Sequence, residues 1–220
     1  MLNNHEIIQP TVIPDGFIVF ISGVPGVGKT TISYELLKRY NKFRIIEETD
    51  LTREILRGYN EYLKSEFGNR IDALLEKVRI TDHTKLLSID EAKEQCEIMK
   101  NSFEKIVDRQ QRKGIASIIN GVHVIPEVLN GIADNHNIIY LNLYVTNECV
   151  LYERIVNRNP TSYMLKHIDF IFQTNNNLYF NTSKLTSKTS HIFNIDVTHI
   201  NIEDTIKEVI NCIANCIEKN

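Results

Sequence analysis

Phe17-Ile18-Val19-Phe20-Ile21-Ser22-Gly23-Val24-Pro25-Gly26-Val27-Gly28-Lys29-Thr30 is the stretch that decides the fold. Five apolar residues in a row, running into glycine-rich sequence, are the pattern of a short strand buried on both faces. The last eight residues, Gly23 to Thr30, match G-x-x-x-x-G-K-[ST]. Its glycines let the backbone curl so that successive N–H groups point inward at phosphate oxygens. A helix opening near Gly28 adds its positive N-terminus. Lys29 can reach the β- and γ-phosphates of a nucleotide, and the Thr30 hydroxyl can take a Mg²⁺ coordination site. Gly23, Pro25, Gly26, Val27, Gly28, Lys29, Thr30 and Thr31 are therefore candidate contacts to ATP and its metal. The rival reading, a glycine-rich turn that merely caps a helix, leaves the preceding buried strand unexplained.

Outward from this loop the chain alternates strand and helix. A helix is expected from about Gly28 to Tyr40, a second strand over Phe43–Glu47, and a helix beginning over Leu51–Arg57. Ile115–Ile119 and Ile138–Val145 read as further buried strands, and His191–Ile195 as a weaker fifth. Strands alternating with helices predict an α/β fold: a P-loop NTPase-type parallel five-stranded sheet with helices on both faces. About 55 residues separate the second helix start from the third strand. There Ala92, Cys96, Met99, Phe103, Ile106 and Val107 fall on one helical stripe over Glu91–Lys113, after a shorter helix at Ile71–Val78. Helices are also expected at Glu148–Val156, Tyr163–Phe180 and Glu203–Ile217. The reading is one domain over 1–220, with a helical insertion at 58–113 and a lid at 154–163.

The totals agree. The 220 residues are 42% hydrophobic and 24% charged, with a net charge of −3. That composition excludes disorder, collagen and a membrane bundle. No block of like charge suggests a nucleic-acid surface. Ile (32) and Asn (23) make up a quarter of the chain, so clusters such as Asn175-Asn176-Asn177 carry little weight. The four cysteines form no CxxC pair; Cys212 and Cys216, one helical turn apart, read as buried small hydrophobes. The start lacks a basic region and no apolar run approaches membrane-span length, so a cytoplasmic protein is expected.

Three more places bear on chemistry. In a parallel α/β sheet, ligands bind outside the carboxyl ends of the strands. Asp50, after the second strand, is placed to meet a phosphoryl acceptor, with Arg53 three residues on along the same helical face. A carboxylate beside a guanidinium suits an acceptor hydroxyl on an anionic molecule; the alternative is that Asp50 simply caps the helix. Asn120-Gly121-Val122-His123 ends the third strand, where a standard Walker-B strand would end in Asp. That departure argues against a motor ATPase or GTPase, and His123 faces either the site or a neighbouring helix. Arg154 and Arg158 share one helical face after the fourth strand, where a lid would close over ATP and neutralise the transferring phosphoryl group; a solvated surface pair is the bland alternative. Lys29, Asp50 and Arg154 are the candidate catalytic residues. Asp50, Arg53, Gln95, Gly121, His123 and Lys166 are candidate acceptor contacts.

With these residues placed, the chain resembles the small-molecule P-loop kinases, and within them the archaeal-type 2-phosphoglycerate kinase family. The resemblance runs from about Ile18 to Ile210. It rests on the P-loop, on Thr49-Asp50-Leu51-Thr52-Arg53-Glu54, and on Glu91-Ala92-Lys93-Glu94-Gln95 leading to Asn120-Gly121-Val122-His123-Val124-Ile125-Pro126. Arg154 and Arg158 match the lid of that family, and Tyr163–Ile171 its following helix. The resemblance implies an ATP- and Mg²⁺-dependent kinase acting on a hydroxyl of a small anionic molecule such as 2-phosphoglycerate. Two departures stand out: Asn120 where the family favours Glu, and Phe172 where it favours Arg. They point to an altered acceptor pocket. The competing readings are a kinase for a nucleoside, sugar, antibiotic or nucleotide-sugar (as in zeta-type toxins), and a nucleotide-binding regulator with no acceptor.

Overall fold

The computed structural model describes residues 12–81, 85–132, 137–158, 162–199 and 201–218. Strands β1 (Ile18–Ser22), β2 (Phe43–Glu48), β3 (Ala116–Asn120), β4 (Ile138–Tyr144) and β5 (Ile192–Asp196) form one sheet. Its order is β2-β3-β1-β4-β5 and every pairing is parallel. The helices are α1 (Lys29–Arg39), α2 (Thr49–Phe67), α3 (Asp72–Lys77), α4 (Ile89–Arg112), α5 (Pro126–Leu129), α6 (Glu148–Val156), α7 (Ser162–Lys166), α8 (Ile168–Thr186) and α9 (Ile202–Glu218).

β1 reads as continuous apolar sequence because both of its faces are covered. Val19 and Ile21 point into a core shared with Leu36 of α1 and with Ile206, Val209 and Ile213 of α9. Ile18 and Phe20 point the other way, toward Cys96, Met99 and Phe103 of α4 and Leu178 of α8. Phe20 stacks on its register partner Tyr140 at 4.8 Å, and the Tyr140 hydroxyl donates to Leu129 O at 3.0 Å. Burial of ten or more such side chains, at about 1.5–3 kcal/mol each, is what holds the layers together. Cys212 and Cys216 are both buried in α9, and burial pushes the Cys212 thiol up to about 12.

The sheet and its helices match the expected fold class, with three revisions. α2, expected to begin over Leu51–Arg57, starts at Thr49 and runs through Gly58 to Phe67. Gly58 costs a helix roughly 1 kcal/mol; Arg57 offsets this by pairing with Glu54 and Glu61 on the adjoining turns. Most of α4 is not an insertion: Met99, Phe103 and Val107 lie against the sheet, making it the crossover helix from β2 to β3. The helix expected over Tyr163–Phe180 is two, α7 and α8, broken at His167 (φ −120°, ψ 28°).

Candidate active site

All five strands point their carboxyl ends at the same edge, so the loops that follow them gather there. The first is the P-loop. Gly28, the residue before α1, has φ +96°, and a Cβ added there would meet nothing within 4 Å. A left-handed residue facing open space beside a helix N-terminus is a cradle for phosphate. Inside the curl, Lys29 Nζ donates to Gly23 O at 2.8 Å and Val24 O at 3.0 Å. Burial pushes the Lys29 ammonium down to about 8, with Asp50 and Glu48 holding it up and Arg158 adding to the depression. Those four groups therefore share one electrostatic neighbourhood.

The β3 end is tied to this loop through neutral groups. Asn120 Nδ2 donates to Ser33 Oγ (2.9 Å), which donates to Lys29 O (2.9 Å). Asn120 thus braces the lysine's main chain where an acid would hold metal. Sequence reasoning missed Ser33, a small polar residue in a helix that is 0% exposed. On the other side, Ser22 Oγ donates to Asn142, which donates to Asn194, a buried polar rung across β1, β4 and β5.

Asp50 lies in the first turn of α2, two residues past the end of β2, and Glu48 occupies the N-cap position. The capping alternative for Asp50 is therefore excluded. Arg53 is buried, held by Asp50 and by Glu54, each at 3.3 Å. His123 is fully buried; its Nδ1 lies 3.1 Å from Thr49 Oγ1 and 3.8 Å from Asp50 Oδ1. Burial pushes the imidazole down to about 4, Asp50 opposing and Arg53 and Lys29 reinforcing the shift. His123 Nε2 has no hydrogen-bond partner among the described residues. Gly121 permits the Thr49 contact, since a Cβ there would fall 1.7 Å from Thr49 Oγ1.

Two clefts open on opposite sides of the P-loop. One is lined by Gly26, Val27, Gly28, Thr30, Thr31, Arg154 and Arg158, together with Val197 and Thr205. The other is lined by Gly23, Val24 and Pro25, by Arg53, and by residues of 85–92 and α8. Its walls thus draw on residues 85–92, within the segment 58–113, and on α8.

Several expected site residues are elsewhere. Gln95 is spent on structure: its Oε1 accepts from Thr81 N and its Nε2 donates to Arg79 O, both at 3.0 Å. Lys166 is exposed at the end of α7 and lines neither cleft. Phe172 is half-buried against the hydrophobic core, and Phe170 is the ring that reaches the cleft. Arg154 Nη2 donates to Val197 O and Thr198 O, and Ile155 is buried. At the start of the expected lid, Arg154 is thus tied to the residues that follow β5; Asn159, Pro160 and Thr161 lie outside the described residues. Lys85, Thr174 and Glu48 were not foreseen, because nothing in their sequence context sets them apart.

The arrangement suits Mg²⁺. Thr30 offers a hydroxyl at the cleft mouth, and Mg²⁺ is bound through few protein oxygens, with waters and substrate phosphates completing its shell. Among the described residues there is no cluster of three metal-ligating side chains that would instead form a closed metal cage.

The sheet order, P-loop and paired clefts define a P-loop kinase fold. Solved structures share it: a gluconokinase from Sinorhizobium meliloti (TM-score 0.54, 12% identity, covering 93% of this chain and 95% of that one) and a shikimate kinase from Bacteroides thetaiotaomicron (0.50, 13%, 90% and 98%). Within that class the chain resembles the 2-phosphoglycerate kinases. It is 26% identical over 204 residues to that of Pyrococcus horikoshii, covering 89% of this chain and 64% of the relative. It is likewise 26% identical over 212 residues to that of Methanocaldococcus jannaschii, covering 90% and 63%. The chain thus spans a little under two thirds of the length of these relatives. The viral superfamily 1 RNA helicase core domain family matches residues 19–106, the segment holding β1, the P-loop and α1. No helix of the described residues is long and apolar enough to cross a membrane.

Proposed function

We propose that this chain is an ATP-dependent kinase that transfers the γ-phosphoryl group to a hydroxyl of a small anionic molecule, either 2-phosphoglycerate or a related hydroxy acid. The observation that carries the reading is the P-loop's position as the wall between two clefts. Gly26–Thr31 faces the cleft with Arg154 and Arg158, and Gly23–Pro25 faces the cleft with Arg53. A nucleotide in the first cleft would present its terminal phosphate across the loop to an acceptor in the second.

The residues divide the work accordingly. Lys29 exchanges two carbonyl partners for phosphate oxygens, which returns its charge to full strength. Bound at Thr30, Mg²⁺ would neutralise phosphate charge. Asp50 orients the acceptor hydroxyl and receives its proton late, as phosphoryl transfer requires little covalent help. Arg53 holds Asp50 in place or takes the acceptor's anionic group. Arg154 and Arg158 add positive charge on the nucleotide side.

The test is ADP release from MgATP with a panel of hydroxy acids, beginning with 2-phosphoglycerate, beside nucleosides and sugars. Acceptor-dependent release that Lys29→Ala abolishes supports the reading. Tight nucleotide binding with no acceptor-dependent release favours a nucleotide-binding regulator, although such a switch would be expected to carry an acid where this chain has Asn120.

A further inference from the structure

The second cleft is built for an acceptor of a particular kind. Apart from Arg53, Lys85 and Thr174, its side-chain lining is apolar, with Leu86, Ile89, Val122, Ile125, Phe170 and Leu178 among it. The cations on its lining, among the described residues, are Arg53 and Lys85. Neither is unopposed. Arg53 carries Asp50 and Glu54, and Lys85 carries Glu91 at 2.5 Å.

We infer that the acceptor is a hydroxylated monocarboxylate with an apolar body, its carboxylate on Arg53 and its body against Phe170 and Ile89, rather than a compact polyanion. This rests on the kinase reading and narrows its substrate class. A planar guanidinium matches one carboxylate through two N–H donors. A second and third negative charge would be desolvated against largely apolar walls, with Lys85 already paired to Glu91, which is unfavourable. An apolar ring or chain, by contrast, gains in proportion to the area it buries there. Thr174, also on the lining, is already turned to main-chain oxygens of Phe170 and Leu87.

Three probes separate the alternatives by calorimetry on the full chain saturated with MgADP. Mandelate carries one carboxylate, one hydroxyl and an apolar ring; glycerate has the first two without the ring; 2-phosphoglycerate adds a phosphate. Mandelate should bind at least tenfold more tightly than glycerate, and 2-phosphoglycerate no more tightly than glycerate. Phe170→Ala should weaken mandelate at least fivefold, and Arg53→Met should abolish its binding. If 2-phosphoglycerate binds tenfold more tightly than mandelate, or mandelate binds no better than glycerate, the inference is overturned; these wild-type comparisons require no variant to fold. Because binding is read without turnover, mandelate that binds but is never phosphorylated leaves the cleft's preference standing and counts against the kinase reading alone.

Discussion

Asp50 Oδ1 lies 3.3 Å from Arg53 Nη1 although the two side chains are 63% and 4% exposed, so the pair joins solvent to the protein interior across one helical turn. Asp50 is free of any capping duty, because Glu48 holds the cap position. Asp50→Asn should therefore shift the melting temperature by no more than about 3 °C, the equivalent of roughly 1 kcal/mol. Turnover should fall by roughly 10²–10⁴-fold, the range for a positioned proton acceptor. Paired melts and steady-state assays check this; normal turnover per folded molecule would remove Asp50 from the mechanism.

Lys29 makes nucleotide affinity depend on pH. In the free protein its ammonium titrates at about 8, and phosphate stabilises the charged form. ATP affinity should be level below that pH and weaken above it, approaching tenfold per pH unit. Stability without nucleotide should move the opposite way. A lowered lysine value means the unfolded chain binds the extra proton between about 8 and the ordinary 10.5, so folding becomes more favourable as pH rises through that window. Titrations from pH 6.5 to 9.5 test both, and Lys29→Ala should flatten each curve.

His123 should give an acid limb to stability. Its imidazole is held neutral down to about 4 in the folded chain but charges near 6.5 when unfolded. Between those values the unfolded state binds more protons, so acidification destabilises, by at most about 1.4 kcal/mol per pH unit. Urea titrations at pH 4.5 and 7 should show this loss, and His123→Asn should lessen it. An unchanged slope in the variant would mean that other groups carry the acid limb.

Gln95→Leu tests a wall rather than a contact. It strips partners from Thr81 N and Arg79 O, each costing about 1–3 kcal/mol if buried and left unmade. The acceptor KM should rise several-fold while ATP affinity holds. Equal loss of both would show that the segment before α4 supports the nucleotide side as well.

Phe172→Arg should lower stability by roughly 1–3 kcal/mol, since it replaces a half-buried ring packed against the core with a cation. It should confer no activity on 2-phosphoglycerate. A folded variant that gains such activity would show that this position reaches the acceptor after all.

What the sequence disclosed follows from where physics is local. The strands announced themselves because a doubly covered strand must be apolar throughout, as Phe17–Ile21 is. The P-loop did so because phosphate cradling demands particular residues at fixed spacing. Gln95, Lys166 and Phe172 were misplaced for a shared reason: whether a helical side chain faces a cleft, a neighbouring loop or solvent depends on how the helix is rotated in the assembled layers. Ser33 and Lys85 were invisible because their importance comes from partners 87 and 6 residues away in the chain.

The Gln95 amide, finally, bears on how such a chain can change over generations. The nucleotide half is built on the sheet itself, where nearly every substitution would disturb the core. The segment carrying Leu86 and Ile89 follows a stretch pinned through one side chain's grip on the main chain of Arg79 and Thr81. Mutations there can reshape what the second cleft accepts without touching the phosphate cradle. New acceptors are therefore accessible by drift in one short stretch, while the donor chemistry is inherited unaltered.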